Sequence, residues 1–197
     1  MNFQPIVTLI AAFLGAWLAN LNFNKQKKME LQNLILNMNE EIKDVRDEMV
    51  RVIPVLVKSY DCLKSPPVSD TSDIRLTRKN EFYILPIALE KLYSQIHSER
   101  RKVLKSMLAI DAFLSEHYEK INSLFKSGRV FSLVSNAKDV NEMANAFRVY
   151  IISSSILYFY SNACCENAEN IKLDGLNDKE IVKKVMASLM IEFKIDG

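Results

Sequence analysis

The chain begins with an apolar run that no charged side chain interrupts between Phe3 and Leu21. A basic stretch, residues 25–28, follows it almost immediately. A helix rises about 1.5 Å per residue, so roughly 20 apolar residues are needed to cross the hydrocarbon core of a bilayer. The pattern therefore predicts a transmembrane anchor over residues 1–24.

An apolar N-terminal run can also be a cleaved signal peptide, which requires a basic leading segment and small residues at the cleavage site. Residues 1–5 contain no Lys or Arg, and the bulky Trp17 stands where a small side chain is needed. The basic residues follow the apolar run instead. By the positive-inside rule, we expect an uncleaved single-pass anchor in the inner (plasma) membrane. Its N-terminus would lie outside and residues 25–197 in the cytoplasm.

Small residues recur at every fourth position of this run, at Ala11, Gly15 and Ala19. Such spacing allows two helix backbones to approach closely in lipid, which would make this face a site of self-association. Alanine and glycine are also common in membrane helices that do not associate. The sequence favours this second interpretation.

A second apolar pattern begins at residue 31, with alternating spacings of four and three residues that are typical of a heptad seam. The seam residues are Leu31, Ile35, Met38, Ile42, Val45, Met49 and Val52. Most side chains between them are polar, and so narrow a stripe is typical of a coiled coil. No helix breaker lies between Leu21 and this seam. We therefore expect the anchor to continue into one long juxtamembrane helix, residues 25–64.

The seam needs a partner helix, and the sequence leaves two alternatives open. Another helix of the same chain would cover the seam in a bundle, because bundles use the same packing geometry. A second copy could instead cover it in a parallel dimer, in which Glu41 and Arg46 would form a charge pair. We favour the first alternative.

Residues 65–80, which begin with Ser65-Pro66-Pro67, are predicted to form a loop. Further helical patterns follow over residues 81–197. Asn177 and Glu180 have the spacing of a capping box at the start of the last helix. We expect an all-α fold in which an N-terminal transmembrane helix continues into the heptad helix. This helix would pack in a cytoplasmic antiparallel bundle of about four to five helices.

The amino-acid composition excludes some classes of function but indicates no activity. The apolar fraction of 49% and the charged fraction of 25% are ordinary for a globular protein. A net charge of +2 gives no field that would favour nucleic acid. Cys62, Cys164 and Cys165 have no spacing typical of a disulfide framework. The adjacent Cys164 and Cys165 could form a vicinal disulfide or a redox pair, but both fall inside an apolar helical pattern, so we expect them to be buried thiols in a reducing compartment.

No catalytic or cofactor motif is present in the sequence. Neither His97 nor His117 follows a Glu at the spacing that helical metal sites use, and no Cys-x-x-Cys motif occurs. No nucleophile elbow or glycine-rich phosphate loop occurs either. We therefore expect no metal, no cofactor and no enzymatic activity.

The basic residues Arg100, Arg101 and Lys105 lie close together in the sequence and could contact a phosphate or an acidic partner. The alternative is a solvated helix face, which the sequence favours.

Three functional hypotheses follow. The first is a membrane-anchored helical interaction or scaffold protein whose partners are the lipid bilayer and another protein or a second copy of itself. The second is a membrane-active effector or sensor that oligomerises through its anchor helix. The third is an enzyme with an unfamiliar site in the bundle. We favour the first, because the sequence contains a heptad seam and an apolar N-terminal run but no catalytic or cofactor motif.

Overall fold

The computed structural model describes residues 4–64, 74–126, 137–166 and 175–193, with side chains from Leu9 in the first range and from Lys138 in the third. These ranges hold five helices and no strand, which confirms the all-α class. The helices are α1 (Gln4–Lys64), α2 (Ile84–Lys91), α3 (Ser98–Lys126), α4 (Ala137–Glu166) and α5 (Asp178–Ser188).

Within the residues that the structure describes, no helix is both long enough and apolar enough to cross a bilayer. The transmembrane anchor over residues 1–24 therefore stays a prediction. Residues 1–3 and the side chains of residues 4–8 lie outside the described part of this segment.

Helix α1 is continuous over 61 residues, as expected from the absence of a helix breaker after Leu21. Pro54 lies inside it. The two halves of α1 have different surroundings. The side chains from Leu9 to Phe23 are exposed, whereas those from Met38 onward enter the core. The bundle is therefore built on the second half of α1.

The heptad seam is covered by helices of the same chain, chiefly α4, with α2 also packed against α1. The five seam residues from Met38 to Val52 are buried, and Leu31 and Ile35 are partly buried against them. Arg46 and Glu41, the charge pair of the alternative parallel dimer, each have a partner within the chain. Arg46 bonds Asp47 at 2.7 Å, and Glu41 bonds the start of α2.

Helix α4 lies at the centre of the bundle, in contact with α1, α3 and α5. Its middle is buried on several sides and includes the serines at 153–155. Ser155 and Ser161 donate their hydroxyl hydrogens to the carbonyl groups of Ile151 and Leu157, each at 2.8 Å. These two hydroxyls are satisfied within their own helix, whereas the buried Oγ of Ser154 has no hydrogen-bond partner among the described residues.

Helix α5 has well-defined ends. The predicted capping box is confirmed, because the Asn177 side chain accepts from the Glu180 N–H at 3.0 Å and Glu180 accepts from the Asn177 N–H at 2.9 Å. At the other end, the N–H groups of Met190 and Ile191 donate to the carbonyl groups of Ala187 and Met186. This is the Schellman pattern of helix termination.

Met190 occupies the position of that motif that glycine usually fills, with φ at +56°. Its side chain is 94% exposed, so removing it costs little packing. A side chain in the left-handed region is strained by roughly 1 kcal/mol. We therefore expect Met190→Gly to stabilise the protein by about 1 kcal/mol in urea denaturation. Met190→Ala is the matched control, since it removes the side chain without relieving the strain. An equal gain from both variants would contradict the argument.

Candidate functional site

A groove of about 690 Å³ lies between the polar face of α1 and the segment that precedes α2. We call it the α1 groove. Its walls carry both signs of charge, with carboxylates in excess. The lining residues are Asn37, Glu40, Glu41, Asp44, Val45, Asp47, Glu48, Arg51, Arg78, Lys79, Asn80, Glu81, Tyr83 and Ile84.

One wall of the groove is a non-helical segment, residues 74–83, which runs antiparallel to α1. At its start, the N–H of Arg75 donates to the Ser59 hydroxyl oxygen at 2.9 Å, and that hydroxyl lies 3.1 Å from the Arg75 carbonyl. At its end, the N–H of Tyr83 meets Glu41. The segment therefore leads the chain from the C-terminal half of α1 back toward its middle.

Glu41 holds the start of α2. One carboxylate oxygen accepts from the N–H groups of Tyr83 and Ile84 at 2.6 and 2.9 Å, and the other accepts from that of Leu85 at 2.7 Å. Helix starts leave such N–H groups unsatisfied, and the next residue, Pro86, has none. A single carboxylate from α1 therefore satisfies the first turn of α2 and interacts favourably with the positive end of its dipole.

Of the eight other charged residues that line the groove, four form two ion pairs with each other near the surface. Lys79 lies 2.7 Å from Glu81, and Arg51 lies 3.0 Å from Glu48. Such surface pairs contribute little stability. Within the described ranges, no group of three His, Cys, Asp or Glu side chains could hold a metal ion. The groove can offer carboxylates to a cationic side chain of a partner, but it holds no nucleophile with an adjacent base.

Asp111 of α3 lies behind the groove, against the same segment. The N–H of Phe82 bonds its carboxylate, and the charges of Glu81 and Lys79 act on it from the same side. Its Oδ1 atom is buried with no hydrogen-bond partner among the described residues. Burial raises the pKa of Asp111 to about 6, and this outweighs the bond from Phe82, which lowers it. The carboxyl is thus easier to protonate in the folded protein than in the unfolded chain.

This pKa predicts that Asp111 destabilises the protein above pH 6. Between about pH 4 and 6 the unfolded chain releases this proton first, so stability falls as pH rises. The full shift would correspond to about 3 kcal/mol, and solvent screening at a half-buried site reduces it to about 1 kcal/mol. Asp111→Asn keeps an oxygen for Phe82 but cannot ionise.

We expect Asp111→Asn to be more stable than the parent by about 1 kcal/mol at pH 7.5 and equally stable at pH 4. Urea denaturation of both proteins at the two pH values measures the difference. A difference that is the same at both pH values would contradict the argument.

The structure brings together two of the three basic residues predicted as a contact for an anion or an acidic partner, Arg101 and Lys105, and separates Arg100 from them. Nη2 of Arg100 donates to Oδ1 of Asn39 on α1 at 2.5 Å. Arg101 instead donates to the Tyr93 carbonyl group at 2.5 Å and stacks on the Tyr93 ring, with 4.5 Å to the ring centre. Nζ of Lys105 lies 5.0 Å from the same ring centre. Arg100 therefore ties α3 to α1, while Arg101 and Lys105 form a surface cluster with Tyr93.

His117 contacts Phe113 of its own helix, and His97 is exposed to solvent. Nδ1 of His117 lies 3.0 Å from the carbonyl oxygen of Phe113, and the two rings are 4.1 Å apart. His97 is exposed at the turn before α3.

The prediction that both adjacent thiols are buried is correct for Cys164 but wrong for Cys165, which is exposed. Cys62, for which no such prediction was made, is half-buried. Neighbouring positions of a helix face different directions, so one thiol of an adjacent pair can be buried while the other meets solvent. Burial raises the pKa of Cys164 to about 12, so its thiol is a poor nucleophile. Burial also raises the pKa of Cys165.

The other notable surface is the first part of α1, from Leu9 to Phe23, which we call the apolar arm. Large apolar side chains are exposed all around it, with Leu9 at 71% and Phe13 at 78%. Ala11, Gly15 and Ala19 lie on the arm without cover from the described chain, and a Cβ added at Gly15 would meet nothing within 4 Å.

Sequence reasoning missed Glu41 as the cap of α2. The residues before Pro86, Tyr83-Ile84-Leu85, include none of the side chains that usually cap a helix locally. That lack was the available signal, because a helix start without a local cap needs an acceptor from elsewhere.

Comparison with protein-family models, with curated proteins and with solved structures found no match to this chain.

Proposed function

We propose that this chain is a membrane-anchored helical interaction protein, in which the apolar arm of α1 lies in a bilayer and the bundle presents surfaces to a partner. The observation that carries the proposal is the exposure of the arm. A helix that is apolar on all sides is normally buried in protein or in lipid, and no described part of this chain covers residues 9–23.

The size of the exposed surface supports lipid as the cover. Water-exposed apolar patches of this extent are rare on soluble monomers. The uncharged run in the sequence begins at Phe3, before the first described side chain, and it extends to Leu21. Trp17 and Phe23 lie toward its C-terminal end, where aromatic rings favour the membrane–water interface.

The interaction role rests on the bundle. Helices of the same chain bury the seam residues from Met38 to Val52, so the bundle needs no second copy to cover them. Two surfaces of the described bundle that a partner could contact are the α1 groove and the cluster of Arg101 and Lys105 around Tyr93. Because neither contains a reacting pair of side chains, binding is the role that they support.

Insertion of the arm can be tested with Leu14→Arg combined with Leu18→Arg in the full chain. Each arginine at the centre of a membrane helix costs about 3 kcal/mol. We expect the parent to remain in the membrane pellet after an alkaline carbonate wash and the double variant to move to the supernatant. Asn33→Arg with Leu36→Arg is the matched control, since it adds the same charge at exposed positions of α1 beyond the arm.

The control variant should remain in the pellet with the parent. Release of the parent by the wash would refute membrane insertion, as would retention of the arginine variant in the pellet.

The proposed orientation places the bundle in the cytoplasm, because the basic stretch 25–28 follows the arm. Cys165 is exposed and can report on this orientation. We expect an impermeant maleimide to label the parent, but not Cys165→Ser, at this position only after the inner membrane is permeabilised. Labelling of intact cells from which the outer membrane has been removed would place the bundle outside.

A second candidate function is a membrane-active effector that oligomerises through Ala11, Gly15 and Ala19. The open space at Gly15 favours it, because a second helix backbone could approach there. We expect Gly15→Ile to abolish crosslinked oligomers and dye leakage from vesicles if this candidate is correct. Leu14→Ile is the control on the neighbouring face. An absence of oligomers in the parent would remove this candidate.

A further inference from the structure

A cationic surface lies where the bundle meets the N-terminal part of α1. We call it the Tyr93 cluster, and it consists of Tyr93, Arg101 and Lys105. The Arg101 guanidinium stacks on the ring of Tyr93 at 4.5 Å, and Nζ of Lys105 lies 3.4 Å from the Tyr93 hydroxyl oxygen. Tyr93 is still 48% exposed, so its ring carries two cations at the surface.

The charge of this cluster is not neutralised. Neither Arg101 nor Lys105 forms an ion pair within the described ranges, whereas the neighbouring Lys102 is paired with Glu99 at 2.8 Å. Between Lys91 and Lys105 the sequence holds five Lys or Arg residues and only one carboxylate, Glu99. The surface therefore has an excess of positive charge in a protein whose net charge is only +2.

The position of the cluster follows from the course of the chain. The segment 74–83 leads toward the N-terminal side of α1 and reaches Glu41 at its end. When the chain returns in α3, Arg100 contacts Asn39. Helix α2 and the turn after it therefore lie at the level of α1 where the buried seam begins. This is the end of the bundle from which the apolar arm projects.

We propose that the Tyr93 cluster faces the bilayer and is attracted to the phosphate groups of anionic lipids. This inference rests on the proposed insertion of the apolar arm. The arm fixes which end of the bundle points at the membrane, and the unpaired cations at that end match a negative lipid surface in charge.

The distances allow this attraction. Asn39 lies roughly 24 Å along α1 from Phe23, at 1.5 Å per residue. The headgroup layer fills about 6 Å of that interval, and a membrane helix tilted by about 20° lowers one side of the bundle. The remaining gap is about 14 Å, nearly two Debye lengths of about 8 Å at physiological salt, so the attraction reaches the cluster in screened form.

Lysine acetylation of the full chain in nanodiscs tests the proposal, because a negative surface potential keeps nearby lysines protonated and slows their reaction. We compare nanodiscs of phosphatidylcholine alone with nanodiscs that also contain phosphatidylglycerol. We expect Lys91 and Lys105 to react roughly 1.3-fold more slowly in the anionic nanodiscs, and this difference to disappear in high salt. Lys120 and Lys126, at the far end of α3, are the internal controls and should react equally in both.

Lys27, in the basic stretch beside the arm, reports insertion of the arm independently of the Tyr93 cluster. Slowing at Lys27 but not at Lys105 would overturn the Tyr93 cluster proposal and leave the anchor intact. No slowing at Lys27 would overturn the anchor itself. Equal slowing of Lys105 by inorganic phosphate in phosphatidylcholine nanodiscs would show a site for a soluble anion and overturn the lipid assignment. Arg101→Gln should reduce the slowing at Lys105 if the cluster acts as a unit.

Discussion

Ile42→Asp and Val45→Asp are each expected to unfold the bundle. Ile42 is 1% exposed and Val45 is 7% exposed, and both face the core between α1 and its neighbours. Each change removes about 2 kcal/mol of apolar burial and places a carboxylate among apolar side chains, which costs several kcal/mol more. The sum is roughly 4 kcal/mol or above, a large part of the stability of a typical domain. Loss of the cooperative transition in urea or thermal denaturation measures it.

Val50→Asp is the matched control, because Val50 is on the same helix but is 40% exposed. We expect a change within about 0.5 kcal/mol for this variant. Size-exclusion chromatography with light scattering gives the second readout. If Val45→Asp yielded folded monomers from a parent dimer, a second copy would be the seam's partner and the covering by α4 would be wrong.

Glu41→Ala is expected to destabilise the protein by about 2 kcal/mol. The variant loses the only acceptor seen for the N–H groups of Tyr83, Ile84 and Leu85 in the described chain. Charge-assisted hydrogen bonds and helix caps each contribute about 1–2 kcal/mol. Water can replace part of the loss at this half-buried position. Urea denaturation measures the free energy, and hydrogen exchange measures the three amides directly.

Glu40→Ala is the control, since Glu40 is exposed on the same helix and lines the same groove. It should leave both stability and amide exchange unchanged. Faster exchange throughout α2 in Glu41→Ala, with α4 unaffected, is expected if the carboxylate serves α2 specifically. Unchanged protection of residues 83–85 would show that Glu41 does not cap the helix in solution.

The sequence allowed much of the fold to be predicted because helical patterns are local. The spacing of the seam predicted side chains that lie in the core, and the pair Asn177 and Glu180 predicted a capping box that the structure contains. Each of these features depends on residues a few positions apart.

The candidate site could not be predicted in the same way, since its contacts join distant parts of the chain. Glu41 and Leu85 are 44 residues apart, and nothing near Glu41 in the sequence marks it as a cap. Arg100 and Arg101 were grouped because they are adjacent, but neighbouring residues of a helix point about 100° apart. One therefore reaches α1 and the other reaches Tyr93. The cationic cluster depends on Tyr93, which the sequence did not single out.

The continuity of α1 has a mechanical consequence. A single helix of 61 residues joins the apolar arm to the bundle without a flexible linker. The rotational phase of the arm is therefore fixed relative to the core. One residue inserted between Phe23 and Leu31 would turn the arm by about 100°, and two would turn it by about 200°. A rotation of the arm about the axis of α1, or a tilt of the arm, is therefore transmitted directly to the bundle.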